Sequence, residues 1–379
     1  MTLPGQPTPF QRASGTWPSS ILEGQGLRPR PRPAFCLALG LALAAVPAGA
    51  VRPITPPAPE FPPGRVWVNA KPLSMRLLRG KKAVLVAFIN PGSVNSLRTL
   101  SVLREWWERY ALEGLMVIGV QSPDYEFQKD PLVLQKSAKR LAIQFPLVLD
   151  NDRSIWKSYA VEGWPALFLV DHRGRIVYDR LGEGSYAEFE GEIIAAAERA
   201  GYKPSRSFAP LEDPPAIDCG TASETIFAGS ARGKVKQIED LMRYRNTVFV
   251  NTREGEAVYQ GEWAVESDAM ALSKDNKGRS FQVSFVYHGA RAAALISPGR
   301  RAQRFYVLQD EHWIKPEAAG NDIRFDEESE SFVSVDDPGV YDLVRNPTDD
   351  PHELIIIPAK AGARIYEISV SDRCLSVGL

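Results

Sequence analysis

Two unbroken apolar runs, residues 82–89 (KAVLVAFI) and 115–120 (LMVIGV), constrain this chain more than any other feature. Neither alternates with polar residues, so each reads as a strand buried on both faces of a sheet. Between them Leu97, Leu100, Leu103 and Trp107 recur at spacings of three and four, which predicts a helix over 96–110. A strand, a crossover helix and a second buried strand require a parallel sheet with both faces covered. A helical pattern over 132–141 and a short strand over 145–149 extend the unit. Strands at 166–170 and 176–178 flank the turn Asp171-His172-Arg173-Gly174, and a helix over 187–200 closes it. On residue patterns alone this is an α/β unit with one mixed sheet.

Residues 201–217, with Pro204, Pro210, Pro214 and Pro215, mark a linker. Beyond it the helical period fades, and short strand-like runs appear at 279–287, 292–296, 304–308, 331–335, 341–344, 353–357 and 365–370. Turn signals at regular intervals point to an all-β antiparallel sandwich, jelly-roll-like, over 218–379. The chain of 379 residues is long enough for both units. Its formal charge of −1 and the lack of any Lys/Arg stripe interleaved with aromatics argue against a nucleic-acid partner.

The first fifty residues read as a targeting segment. Arg28, Arg30 and Arg32 precede the apolar run 34–46, and Ala48-Gly49-Ala50 fits a small-x-small cleavage site. Export to the periplasm or outside the cell is expected, with membrane contact only where the segment stays uncleaved. Residues 51–64 hold six prolines and read as an extended stalk. The domain plan is therefore 1–50 signal, 51–64 linker, 65–200 α/β unit, 201–217 linker and 218–379 β unit. Cleavage would leave only Cys219 and Cys374. Cys219 precedes the β unit and Cys374 follows its last strand, so in an oxidising compartment the two are expected to pair.

The segment Phe88-Ile89-Asn90-Pro91-Gly92-Ser93-Val94-Asn95-Ser96-Leu97-Arg98-Thr99-Leu100 resembles the active-site turn of DipZ- and TlpA-like exported thioredoxins. That family carries Cys-x-Asn-Cys-Leu-Arg-Thr-Leu after a buried strand; here Ser93 and Ser96 take the cysteine positions. Ile89 stands where the family commonly has tryptophan, and Ser101 where it usually has proline. A second match is 156–165 (WKSYAVEGWP), where the resemblance implies a cis-proline at Pro165 after Trp164. The third is Gly182-Glu183-Gly184-Ser185-Tyr186, which the family places before its last helix. The resemblance thus implies a thioredoxin-like α/β sandwich over about 65–200. Tyr259-Gln260-Gly261-Glu262-Trp263, Gly339-Val340-Tyr341-Asp342-Leu343 and Ala363-Arg364-Ile365-Tyr366 resemble the carbohydrate-binding-module-like β domain fused to DipZ-like thioredoxins.

Disulfide exchange needs a thiolate, with the pKa lowered at a helix start, to attack sulfur. A serine hydroxyl forms no mixed disulfide, so no intact catalytic group is expected at Ser93 or Ser96. No cofactor and no metal are expected. Two readings stay open: serine capping a helix in a decayed scaffold, or a retained groove for a protein or peptide client, built from Val94, Asn95, Trp164 and Pro165. The rivals are an oxidoreductase working through Cys219 and Cys374, and a carbohydrate-binding protein with Tyr259, Trp263 and Trp313 as stacking platforms.

Overall fold

A computed structural model describes residues 55–205, 222–247 and 253–371. The expected targeting segment, Cys219 and Cys374 lie outside those residues. The α/β half runs β1 (Trp67–Val68), α1 (Met75–Leu78), β2 (Ala83–Phe88), α2 (Val94–Tyr110), β3 (Leu115–Gln121), α3 (Pro131–Arg140), β4 (Leu147–Leu149), α4 (Ser154–Ser158), β5 (Ala166–Val170), β6 (Ile176–Leu181) and α5 (Tyr186–Arg199). Its sheet has the order β1-β4-β3-β2-β5-β6. β2, β3 and β4 are parallel, and β5 and β6 run antiparallel to them. Central β2 shows why its sequence is unbroken: Leu85 and Ala87 pack under α2 and α5, while Val84, Val86 and Phe88 face the opposite core. Trp106, fully buried, takes the inner helix position expected of Trp107, which is only half-buried.

The expected stalk is shorter than the sequence pattern implies. Pro56 accepts the Ile176 amide at 2.9 Å, Ala58 and Phe61 are buried, and Glu60 receives the Met75 and Arg76 amides at the start of α1. From Pro56 onward the proline-rich chain is therefore part of the α/β unit.

The β half comprises β7 (Ile226–Phe227), β8 (Lys234–Ile238), α6 (Leu241–Thr247), β9 (Glu256–Gln260), β10 (Trp263–Val265), β11 (Met270–Leu272), β12 (Gln282–His288), β13 (Arg291–Ser297), β14 (Gln303–Gln309), β15 (His312–Trp313), β16 (Ile323–Phe325), β17 (Ser331–Val335), β18 (Gly339–Arg345), β19 (Pro351–Pro358) and β20 (Arg364–Ser371). One sheet is β10-β11-β20-β13-β18 with β7 beside β20; the other is β16-β17-β14-β19-β12-β9-β8 with β15 beside β14. Apart from parallel β8 and β9, the pairings are antiparallel. Ala292, Ala294 and Ile296 of β13 meet Phe285, Phe305 and Ile356 across the sandwich core.

The other face of β13 is not solvent-exposed. Ala293 and Leu295, with Val340 of β18 and Tyr366 of β20, join the core under α2 and α5. The sheet containing β13 is thus buried on both sides, and the two halves are packed face to face. Around this contact Lys136 pairs with Asp337 at 2.6 Å, Arg140 lies 5.1 Å from the Tyr341 ring centre, and Tyr125 donates its hydroxyl to Glu367. Among the described residues no helix is long and apolar enough to cross a membrane.

Candidate functional site

The site begins where β2 ends. Ile89 still donates to the Val120 carbonyl at 3.0 Å, and then the chain turns into α2. Asn90 fixes that turn: its Oδ1 accepts the Gly92 amide at 2.8 Å and Gln128 Nε2 at 2.7 Å. Its amide donates to Ser96 Oγ at 3.0 Å. Ser96 is 2 % exposed, so its hydroxyl serves as an internal acceptor for a buried main-chain donor. Ser93 stands at the N-cap position with extended backbone, but its side chain makes no capping bond. The helix-capping role expected of Ser93 is therefore not performed; its carbonyl, not its hydroxyl, accepts the Leu97 amide. Ser93 and Val94 are half-buried and Asn95 is exposed.

The first turn of α2 is tied to the loop before α5. Buried Arg98 makes a two-pronged pair with Glu183, both bonds 2.8 Å, and donates to Asn95 Oδ1 at 2.6 Å. At the next residue, Thr99 Oγ1 and the Tyr186 hydroxyl are 2.9 Å apart. The sequence motifs Leu97–Leu100 and Gly182–Tyr186 thus meet as hydrogen-bonding partners. Such a fork-to-fork guanidinium–carboxylate pair fixes orientation as well as distance.

The remaining motif closes the other side. The Trp164–Pro165 peptide is cis. Ala166 pairs with Phe88, so Pro165 leaves the sheet beside the turn that carries Ser93. Pro165 is buried and Trp164 half-buried, its ring 4.7 Å from Trp156. Arg153 sits over both indoles, 5.3 Å from Trp156 and 5.2 Å from Trp164. The Trp164 Nε1 is buried without a partner. His172 is no aid to Ser93: its turn follows Val170, which pairs with Val84, and so lies at the opposite end of β2.

The β half forms a wall of this site. A side chain at Gly92 would begin 2.4 Å from Gln128 Nε2 and 3.3 Å from Leu295 Cδ2, so it would have to displace the amide that holds Asn90. Gln128 and Leu295 escaped the sequence reading; they lie far along the chain and carry no local motif that marks a role at the turn, whereas Glu183 lies in the third matched motif without a partner being named for it.

The proposed sugar platforms do not share a face. Tyr259 is buried in the sandwich core. Trp263 lies on the edge strand of the opposite sheet and donates to the Gln260 carbonyl at 3.1 Å. Trp313, half-buried, packs beside Tyr306 with ring centres 6.2 Å apart. Among the described residues no group of three or more His, Cys, Asp or Glu is placed to hold a metal ion.

Residues 57–179 match the model of the AhpC/TSA family. This part of the chain has a thioredoxin-like α/β fold. Protein DipZ of Mycobacterium tuberculosis is 36% identical over 132 residues, covering 34% of this chain and 19% of that protein. Thiol-disulfide oxidoreductase ResA of Bacillus cereus is 23% identical over 126 residues, covering 33% of this chain and 69% of that protein. The chain therefore spans about a fifth of the length of the DipZ proteins it matches. A thiol-disulfide isomerase from Corynebacterium glutamicum has a similar solved structure at 24% identity and TM-score 0.34, covering 37% of this chain and 96% of that one. The thioredoxin-like domain is continuous with a C-terminal half made mainly of antiparallel strands.

Proposed function

We propose that this chain is an exported thioredoxin-like protein that performs no disulfide exchange and acts by binding an extended peptide client beside the cis Trp164–Pro165 bond. The observation that carries the reading is the bond from the Asn90 amide to Ser96 Oγ. Oxygen stands at both positions where exchange would need sulfur, and the inner one is committed to holding the turn. A hydroxyl cannot attack a disulfide to form a mixed disulfide, and His172 lies at the opposite end of β2 from Ser93. The half-exposed Ser93–Asn95 turn and Trp164 leave room for a strand to align along the cis-proline loop. Export rests on the basic flank and apolar run of the first fifty residues.

Insulin reduction driven by dithiothreitol tests the reading: the mature chain should stay at the uncatalysed background. Turnover above background that persists in a C219S/C374S variant would overturn it. The Cys219–Cys374 bridge belongs to the same proposal, and non-reduced peptide mapping of exported protein should recover that pair. Two alkylatable thiols in the folded chain would remove it.

A further inference from the structure

On the ladder between β5 and β6, Ala166 stands opposite Leu181 and Phe168 opposite Asp179, so these four side chains share one face. It is the face turned away from α2 and α5, since Ala166 belongs to the core of Val84, Val86 and Phe88. Arg180 takes the other face and donates to the Glu183 carbonyl at 3.2 Å. Pro59, Tyr159 and Val161 wall the first face into a groove of about 430 Å³. The Tyr159 hydroxyl holds the Pro59 carbonyl at 3.2 Å, and the Tyr159 and Phe168 ring centres are 5.2 Å apart. Leu181, 54 % exposed, stands at the groove's end, its Cδ1 3.8 Å from where a side chain on Gly163 would begin. The next residue, Gly182, donates to the Pro165 carbonyl at 2.8 Å, so the groove adjoins the cis-proline loop.

β6 is also the edge of its sheet. The start of that edge already carries an extended segment: Pro57 bridges Arg175, and Pro56 accepts the Ile176 amide at 2.9 Å. Past Ile176, nothing among the described residues pairs with the outer side of β6. The groove is mainly apolar, yet two exposed carboxylates, Glu162 and Asp179, stand in its lining. Neither makes a hydrogen bond or ion pair among the described residues.

We infer that this groove takes a segment of the client in which a Lys or Arg stands two positions from a large aliphatic residue, the segment adding as a further strand outside β6. This rests on the peptide-client reading above and names the sequence that the client presents. Side chains two apart on a strand share a face, so the aliphatic one enters beside Phe168 and Leu181 while the cation meets Asp179 and Glu162. Burial of the aliphatic side chain carries the affinity; the exposed carboxylates select, because an ion pair open to water contributes only a few-fold.

The test uses the whole chain on an array of randomised, end-blocked decapeptides, with wild type, W164A, L181S, E162Q/D179N and E162K/D179K, each checked for folding by circular dichroism. Residues 162, 179 and 181 are exposed, so these changes spare the core. Wild type should select Lys or Arg two positions from Leu, Ile or Val, and W164A should weaken that binding. L181S should weaken the best peptide about fivefold or more. E162Q/D179N should weaken it roughly threefold to tenfold while leaving its twin with Gln for the basic residue unchanged. E162K/D179K should shift selection toward Asp and Glu at that position. Peptides that depend on Trp164 but show no basic preference, a basic preference unmoved in E162K/D179K, or no loss in L181S would overturn the acidic groove and leave the client site at the turn standing. Absence of any bound peptide would remove both together.

Discussion

Leu295 of the β half lies against Gly92 of the thioredoxin-like turn, its Cδ2 3.3 Å from where a side chain on that glycine would begin. One strand therefore serves two cores: Leu295 faces the first while Ala294 and Ile296 face the second.

Because the halves share β13, they should unfold together. Leu295→Ala should cost about 2–5 kcal/mol, the range for a buried leucine truncation. Gly92→Ala should cost about 1–3 kcal/mol through overpacking against Gln128 and Leu295. Urea melts followed by tryptophan fluorescence and by far-UV dichroism should superimpose in the wild type. Two separated transitions in the wild type would show that the halves fold independently.

The two serines of the turn should behave differently. Ser96→Ala strands the buried Asn90 amide and should destabilise by about 1–3 kcal/mol. Ser93→Ala removes no side-chain capping bond and should stay within about 0.5 kcal/mol of wild type. Equal losses at both positions would contradict the assignment of the structural bond to Ser96 alone.

The Arg98–Glu183 pair holds α2 to the loop before α5. Arg98 is 6 % and Glu183 18 % exposed at the side chain. Removing one partner leaves a mostly buried charge, so Glu183→Ala should cost about 3 kcal/mol. The double change Arg98→Met with Glu183→Leu should recover part of that loss. A thermal-melt cycle over the two singles and the double measures the coupling, and additive losses would deny it.

Glu367, buried at the junction of the halves, has its carboxyl pKa raised by burial, against the lowering effect of hydrogen bonds from Tyr125 and Ser369 and of the Arg232 charge; Asp124 adds to the rise. The folded chain thus holds this proton to higher pH than the unfolded chain. Its contribution is full below the ordinary glutamate value of 4.5 and is lost as pH rises through the folded value. Glu367→Gln keeps an acceptor for Tyr125 and should flatten that part of the stability curve, with its advantage over wild type growing from pH 4.5 toward neutrality. Urea midpoints of the two proteins that run parallel across this range would contradict the assignment.

Much of the thioredoxin-like half was legible because burial writes itself into sequence when both faces of a strand are covered, as in Ala83–Phe88 and Leu115–Gln121. The same signal stands in residues 292–296 (AAALI), where it marks a sheet with a core on each side; reading that run as one wall of a two-layer sandwich missed the third layer. β8 and β10, whose residues are mostly exposed or half-buried, left no apolar pattern to read. Contacts across the chain left none either. Arg98 and Glu183 are 85 positions apart, and nothing around either residue names the other. The helix start at Ser93 was legible, but the residue that does the bonding there was not, because Ser96 acts backwards on Asn90 through the fold of the turn.

The most direct test restores sulfur to the turn. The S93C/S96C variant, made in a C219S/C374S background, is treated with oxidised glutathione, and its free thiols are counted beside its insulin-reducing rate. With the turn placed as described, both thiols should disappear into one intramolecular disulfide, and dithiothreitol-driven reduction should rise above the serine form, which stays at background. Two thiols that remain free in a folded chain, or a serine form that already reduces insulin, would contradict the assignment of this turn as a thioredoxin site that has lost its chemistry.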